Sequence, residues 1–262
     1  MQYGHHALSP TDNPIQANEK WWSDNAGSYL TEHGEILGDN DFIWGPEGVR
    51  EADIGFLGEL SDKRILEIGA GAAQCSRYLA ARGYDVVATD LAPGMLTYAT
   101  ELNHNYDIDF PLIQADARQL PFPDDSFDVV FTSFGVLPFV PNLADVHTEV
   151  YRVLRSGGIW AYSALHPTRW MFPDDPTIGG LTAIRSYFDR TPYIERHNST
   201  LDYAEFHHTL SDHINSLIDA GFTIDELFEP PWPAGRDIIW GGWGPQRSQI
   251  LPGTLMIRAI GS

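Results

Sequence analysis

A single cysteine, Cys75, stands in 262 residues. An internal disulfide is therefore excluded, and a reducing compartment is expected, with the cytoplasm as the default. Positive charge is scarce: 16 lysines and arginines face 36 aspartates and glutamates, a formal net charge of −20. A surface this acidic repels phosphate backbones, and no basic stripe interrupts it, so no nucleic-acid partner is expected. No apolar run approaches the roughly 20 residues that a bilayer demands, so no membrane partner is expected either. The opening MQYGHHALSPTDNP lacks the basic and apolar regions of a signal peptide. Repeats and low-complexity tracts are also missing. What is left reads as a soluble chain, 43% hydrophobic, long enough to bury a full core, as a monomer or homodimer.

The most informative stretch runs from Arg64 to Met95. Ile65, Leu66, Glu67 and Ile68 have the length and composition of a buried strand, which then breaks into Gly69-Ala70-Gly71-Ala72-Ala73. From Cys75 the apolar residues recur at helical spacing, Gly83 stops the helix, and Asp85 to Asp90 reads as a second buried strand. A β-α-β unit thus ends in a carboxylate. Gly69 and Gly71 let the backbone turn sharply and let a ligand lie against it, and Asp90 is placed to accept hydrogen bonds from ribose hydroxyls. The ligand expected is of the adenosine type. NAD is the weaker reading, because Gln74 stands where the dinucleotide fingerprint wants a third glycine.

Glu67-Ile68-Gly69-Ala70-Gly71 resembles the E-x-G-x-G motif of the class I S-adenosylmethionine-dependent methyltransferases. Two further matches support the resemblance: the acidic end of the second strand, and Gln114-Ala115-Asp116-Ala117 followed by LPFPDDSFD from Leu120. The resemblance covers roughly Arg64 to His166 and is closest to the branch that includes the ubiquinone and menaquinone biosynthesis enzymes. It implies S-adenosylmethionine as cofactor, a small-molecule methyl acceptor, and Asp116 as the holder of the adenine amino group. It also implies cofactor contacts from Glu67, Gly69, Ala70, Gly71, Asp90, Leu91, Met95, Ala117, Ser133 and Phe134. In the family an amino-terminal segment folds over the cofactor as a lid, and Tyr29 and Trp44 are the candidates for that contact.

Taken in order, residues 1–18 are polar, with two prolines, and are expected to be poorly ordered. Adjacent His5 and His6 in such a tail suggest no metal. Glu19 to Leu37 has one apolar helical face, with Trp21, Trp22, Ala26, Tyr29 and Leu30, and Glu47 to Leu60 reads as a second helix. After Asp90 come a helix from Pro93, a strand from Asp109 to Ala115, and a strand from Phe127 to Ser133 that is apolar on both faces. Asn142 to Leu154 reads as a helix and Ile159 to Leu165 as the fifth strand, capped by His166. From Thr168 to Phe206 aromatics and prolines replace the α/β alternation, as in a functional insertion. A helix from Thr209 to Ala220, a strand from Phe222 to Glu229, a tryptophan-rich loop and a strand from Thr254 to Ile260 complete the chain.

The fold expected is α/β, a Rossmann-like doubly wound sheet of seven strands with helices on both faces. Its parts are a tail and helical lid over 1–60, the cofactor-binding core over 61–166, a substrate-cover insertion over 167–208, and the rest of the core over 209–262. Methyl transfer from a sulfonium is an in-line displacement that needs a base only if the acceptor must lose a proton. His166, at the carboxyl edge of the sheet, is the candidate base, and O-methylation is the first reading; C- or N-methylation is the second. Trp170, Tyr187, Glu195, His208 and Trp240 are the candidate acceptor contacts, with no metal. Two other readings are a non-catalytic S-adenosylmethionine binder and an NAD-dependent oxidoreductase.

Overall fold

The central strands of the main sheet are largely apolar, and in the computed structural model they are buried on both faces. The structure describes residues 2–262, Gln2 by its backbone alone. The elements in chain order are β1 (Gln2–His5), α1 (Pro14–Leu37), α2 (Glu51–Ile54), β2 (Arg64–Ile68), α3 (Gln74–Ala80), β3 (Asp85–Asp90), α4 (Pro93–Tyr106) and β4 (Leu112–Gln114). Then follow β5 (Phe127–Ser133), α5 (Leu143–Val153), β6 (Leu154–Leu165), β7 (Tyr193–His197), β8 (Thr200–Glu205), α6 (Leu210–Asp219), β9 (Phe222–Phe228) and β10 (Thr254–Gly261).

Seven strands form the main sheet in the order β4-β3-β2-β5-β6-β10-β9. β2 to β6 run parallel, and β10 lies antiparallel between β6 and β9. The chain winds one way from β2 through β3 to β4 and then the other way from β5 to β6. Open sheets of this kind take their ligands in the crevice at the carboxyl ends of the strands where the winding reverses, here between β2 and β5. Alternate residues feed two apolar layers: Leu66, Val87, Val130, Trp160 and Tyr162 on one face, Ile65, Val86, Val129, Phe131 and Ala161 on the other.

A second sheet, β1-β7-β8, is built from the amino terminus and the 167–208 segment. β7 and β8 form a hairpin whose two connecting residues, Asn198 and Ser199, both have positive φ, as a two-residue primed turn requires. α1 begins where Asn13 accepts from the Gln16 amide at 3.2 Å and Pro14 occupies the first turn, a favoured start. It packs against both β8 and α4. Asn18, 1% exposed, fastens it: its Nδ2 donates to the Ala204 carbonyl and its Oδ1 accepts from the Ala204 amide, both at 2.9 Å.

Two expectations are corrected. Residues 2–18 are not uniformly irregular, since residues 2–5 form β1 and residues 14–18 open α1; β1 pairs with β7, nearly 190 residues away, which no local pattern reveals. Glu47 to Leu60 is helical only over Glu51–Ile54. There the Glu51 carboxylate turns back into the protein to accept from Trp44 Nε1 and from the Phe56 and Leu57 amides at 2.8–3.0 Å. Those bonds fold the chain into a knot around a buried carboxylate instead of a continuing helix.

Candidate functional site

The loop after β2 and the loop after β5 meet at the reversal of the sheet. Gly69 has φ +63°, and a Cβ there would lie 2.6 Å from Val136 Cγ2; only a residue without one lets the two loops touch. Gly71, φ +56°, has nothing within 4 Å of the corresponding position and so presents bare backbone to a cleft. The Gly71 amide donates to Asp90 Oδ2 at 2.7 Å and the Ala92 amide to Oδ1 at 2.8 Å. Each oxygen keeps a lone pair free, and Asp90 lines the cleft at the end of β3. Burial holds the Asp90 carboxyl above its ordinary pKa against the pull of those amides, so donors arriving in the cleft would find a carboxylate short of partners.

The cleft has a volume of about 1160 Å³ including its open mouth. α1 covers it with Ile15, Asn18, Trp22, Tyr29 and Leu30. On the loop after β5, Phe134 is held at φ +57°, with its amide donating to Ser163 O at 3.2 Å and Ser163 Oγ at 3.1 Å. A non-glycine residue held there costs about 1–3 kcal/mol, and such residues cluster at binding sites. Ser133 donates to the Ile43 carbonyl at 2.6 Å, drawing the 42–45 segment to the cleft edge. The Asp116 carboxylate is pushed up by burial but held below its ordinary range overall by Arg118, whose guanidinium takes both of its oxygens.

The structure brings together Tyr29, Gly69, Ala70, Gly71, Asp90, Leu91, Met95, Asp116, Ala117, Ser133, Phe134 and Trp240 around this one cleft. Trp44 is not among them; it is fully buried between Phe42, Phe56 and Phe131. Glu67 also lies beneath the loop, not in the cleft. Its Oε2 accepts from the Ser76 amide at 3.0 Å and hydroxyl at 2.5 Å, so it braces the glycine turn, and burial raises it to about 7.

His166 stands apart as well. It lines a smaller pocket on the far side of the Leu137–Phe139 turn, with Trp170 and His208. Its Nδ1 accepts from the Thr168 hydroxyl at 2.7 Å and the Thr168 amide at 3.2 Å, leaving Nε2 to donate to Glu229 Oε1 at 2.7 Å. Burial lowers its pKa despite Glu229. Both nitrogens are thus engaged, and the base expected in the cleft is not delivered there by this residue. His208 donates from Nε2 to the Val140 carbonyl at 3.0 Å and is lowered to about 4 by burial. Tyr187 gives its hydroxyl as acceptor to the Leu210 amide at 2.9 Å. Glu195, in β7, accepts from Tyr193 at 3.1 Å. Among the described residues no three His, Cys, Asp or Glu side chains gather as a metal site.

Trp22, Asn18, Gln74 and Phe139 also line the cleft and were missed as site residues. Trp22 had a signal, since it lies seven positions before Tyr29 and hence on the same helical face. Phe139 had one too, its place in the loop that follows the strand ending at Ser133, at the edge where open α/β sheets bind ligands; Asn18 had none.

Residues 66–162 match the methyltransferase domain family. Demethylmenaquinone methyltransferase from Clavibacter sepedonicus is 38% identical over 120 residues, 45% of this chain and 46% of that protein. The chain spans less than half the length of the curated relatives it matches. An S-adenosylmethionine dependent methyltransferase from Mesorhizobium loti superposes with a TM-score of 0.62 at 26% identity, covering 82% of this chain and all of that one. A [4+2]-cyclase, SpnF, has the same fold at a TM-score of 0.60 and 15% identity over 99% of both chains, so the fold alone does not name the chemistry. Between residues 66 and 162 this chain is thus similar to the methyltransferase domain family, and its fold is similar to that of the S-adenosylmethionine dependent methyltransferase from Mesorhizobium loti.

Proposed function

We propose that this protein transfers the methyl group of S-adenosylmethionine to a small molecule. The observation that carries the reading is that the glycine loop, the Asp90 carboxylate held by two backbone amides and an aromatic wall open onto the same cleft. Gly69, Ala70 and Gly71 would lie along the amino-acid end of the cofactor and Asp90 at its ribose, while Leu91, Met95 and Ala117 would enclose the adenine. Asp116, already paired with Arg118, would accept from the adenine amino group only through its remaining lone pairs. The cofactor supplies an electrophilic methyl group. The protein's work is to align donor and acceptor and to exclude water, with α1 as the cover.

O-Methylation would require an acceptor hydroxyl that ionises without help from His166, because that ring is turned to Thr168 and Glu229. A net charge of −20 offers no footprint for nucleic acid, and no helix of the described residues is long and apolar enough to cross a membrane. Incubation with labelled S-adenosylmethionine and a panel of amines, phenols, quinols and carboxylic acids tests the reading. The expected result is release of S-adenosylhomocysteine coupled to one labelled product, abolished by Asp90→Ala. Release without any labelled product, or none across the panel while the cofactor binds tightly, would favour a binding protein instead.

A further inference from the structure

Six aromatic rings follow one another around the cleft. Phe139 meets Trp22 at 5.4 Å between centroids, Trp22 meets Tyr29 at 5.1 Å, Tyr29 meets His33 at 4.5 Å, His33 meets Trp240 at 4.9 Å, and Trp240 stacks over Phe134 at 6.4 Å. Phe134 and Phe139 lie on one loop, so the rings form a collar whose two ends that loop joins, and all but His33 line the cleft. Among the described residues lining it there is no lysine, arginine or histidine. The titratable side chains among those described residues are Tyr29, Asp90 and Asp116, the two carboxylates standing at the end of β3 and just after β4. Glu32 adds a negative charge that reaches both Tyr29 and His33.

From this arrangement we infer that the acceptor is an amine, bound against the ring faces of Phe134 and Trp240, and that the protein is an N-methyltransferase. The inference rests on the methyltransferase reading and adds the substrate class. An anionic acceptor would find no lysine, arginine or histidine among the described residues lining the cleft, and the nearby Arg118 guanidinium is already taken by Asp116. An acceptor needing proton removal would find no histidine among the described residues lining the cleft, since His33, the one imidazole of the collar, stands outside that lining. A neutral amine needs neither: its nitrogen lone pair forms the new bond to the methyl carbon while the carbon–sulfur bond breaks and its electron pair stays on sulfur. The positive charge passes from sulfur to nitrogen and none is created. A tertiary amine ends as a quaternary ammonium, and a primary or secondary one then sheds a proton to water. Aromatic faces attract the cation before and after transfer.

Titration in the presence of saturating S-adenosylhomocysteine tests this, using four probes: benzyltrimethylammonium, its neutral isostere neopentylbenzene, phenol and benzoate. The expected result is that the ammonium binds at least fivefold tighter than the isostere and phenol, with benzoate not detected. This preference should persist at 0.5 M salt, where diffuse attraction to the acidic surface is screened. Trp240, partly exposed, can be changed without opening the core: Trp240→Ala should abolish the preference and Trp240→Phe retain part of it. Equal or tighter binding of phenol or neopentylbenzene overturns the amine assignment, as does an unchanged preference in Trp240→Ala. S-adenosylhomocysteine binding is measured first in the same cell. If it binds and the preference is absent, only the amine inference fails; if it does not bind, the methyltransferase reading fails and the inference with it.

Discussion

The His166 imidazole donates from Nε2 to Glu229 Oε1 at 2.7 Å, and with Nδ1 taken by Thr168 the ring ties the end of β6 to the segment that follows β9. A residue in that position braces the structure. His166→Gln should therefore leave kcat and its pH profile within about threefold of the parent while lowering the melting temperature. A bell-shaped profile losing one limb in the variant would instead restore His166 as a base.

The two glycines of the loop should separate stability from binding. Gly69→Ala forces a Cβ to 2.6 Å from Val136 Cγ2 at φ +63°, and a loss of about 1–3 kcal/mol in unfolding free energy is expected along with cofactor affinity. Gly71→Ala meets open space at φ +56°. Its stability cost should be about 1 kcal/mol, while the methyl group occupies the surface where the ligand lies. Urea denaturation and cofactor titration of the pair check both halves, and equal effects of the two on affinity and stability would contradict this division.

Asn18 joins α1 to β8 by paired bonds to Ala204. Asn18→Ala strands a buried amide and a buried carbonyl at once, for which about 1–3 kcal/mol is expected. Because Asn18 also lines the cleft, the cofactor should dissociate faster as α1 loosens, a change that stopped-flow release would read.

Acid should act through the buried imidazoles. His147 is lowered from 6.5 to about 3 by burial, with its Nδ1 accepting from Trp160 Nε1 at 3.1 Å. The folded state thus resists a proton that the unfolded chain accepts. The stability contributed by neutral His147 is whole above pH 6.5 and drains away as pH falls from there toward 3. Between pH 6.5 and pH 5 the loss from this residue is about 2 kcal/mol, at roughly 1.4 kcal/mol per pH unit. His147→Gln, which keeps an acceptor for Trp160, should remove that part of the pH dependence; denaturation curves at pH 7.5 and pH 5 measure it. Glu67, raised to about 7, works the other way. Its neutral form is favoured in the fold, and the stability it contributes is whole below pH 4.5 and lost as pH rises through about 7.

What could be read in the sequence was what is local. The turn at Gly69 and Gly71, the apolar strands and the carboxylate at Asp90 are set by neighbours within one β-α-β unit, and the parallel part of the sheet, β2 to β6, follows from repeating that unit. His166 shows the limit. Its place at the carboxyl edge of β6 was legible, but that edge faces two pockets divided by the Leu137–Phe139 turn, and side is a tertiary property. Trp44 alternates with Phe42 as a strand-like residue would, and its burial follows from the Glu51 knot, for which no pattern exists. The second sheet was hidden for the same reason, because β1 and β7 find each other only in the folded chain.

The central claim is that this cleft binds S-adenosylmethionine through Asp90, and calorimetric titration of the purified protein with that compound, its demethylated product and NAD tests it most directly. Micromolar binding of the first two, no binding of NAD, and loss of binding in Asp90→Ala with the fold intact by circular dichroism is the predicted result. Undiminished binding in Asp90→Ala, or binding of NAD alone, would contradict it.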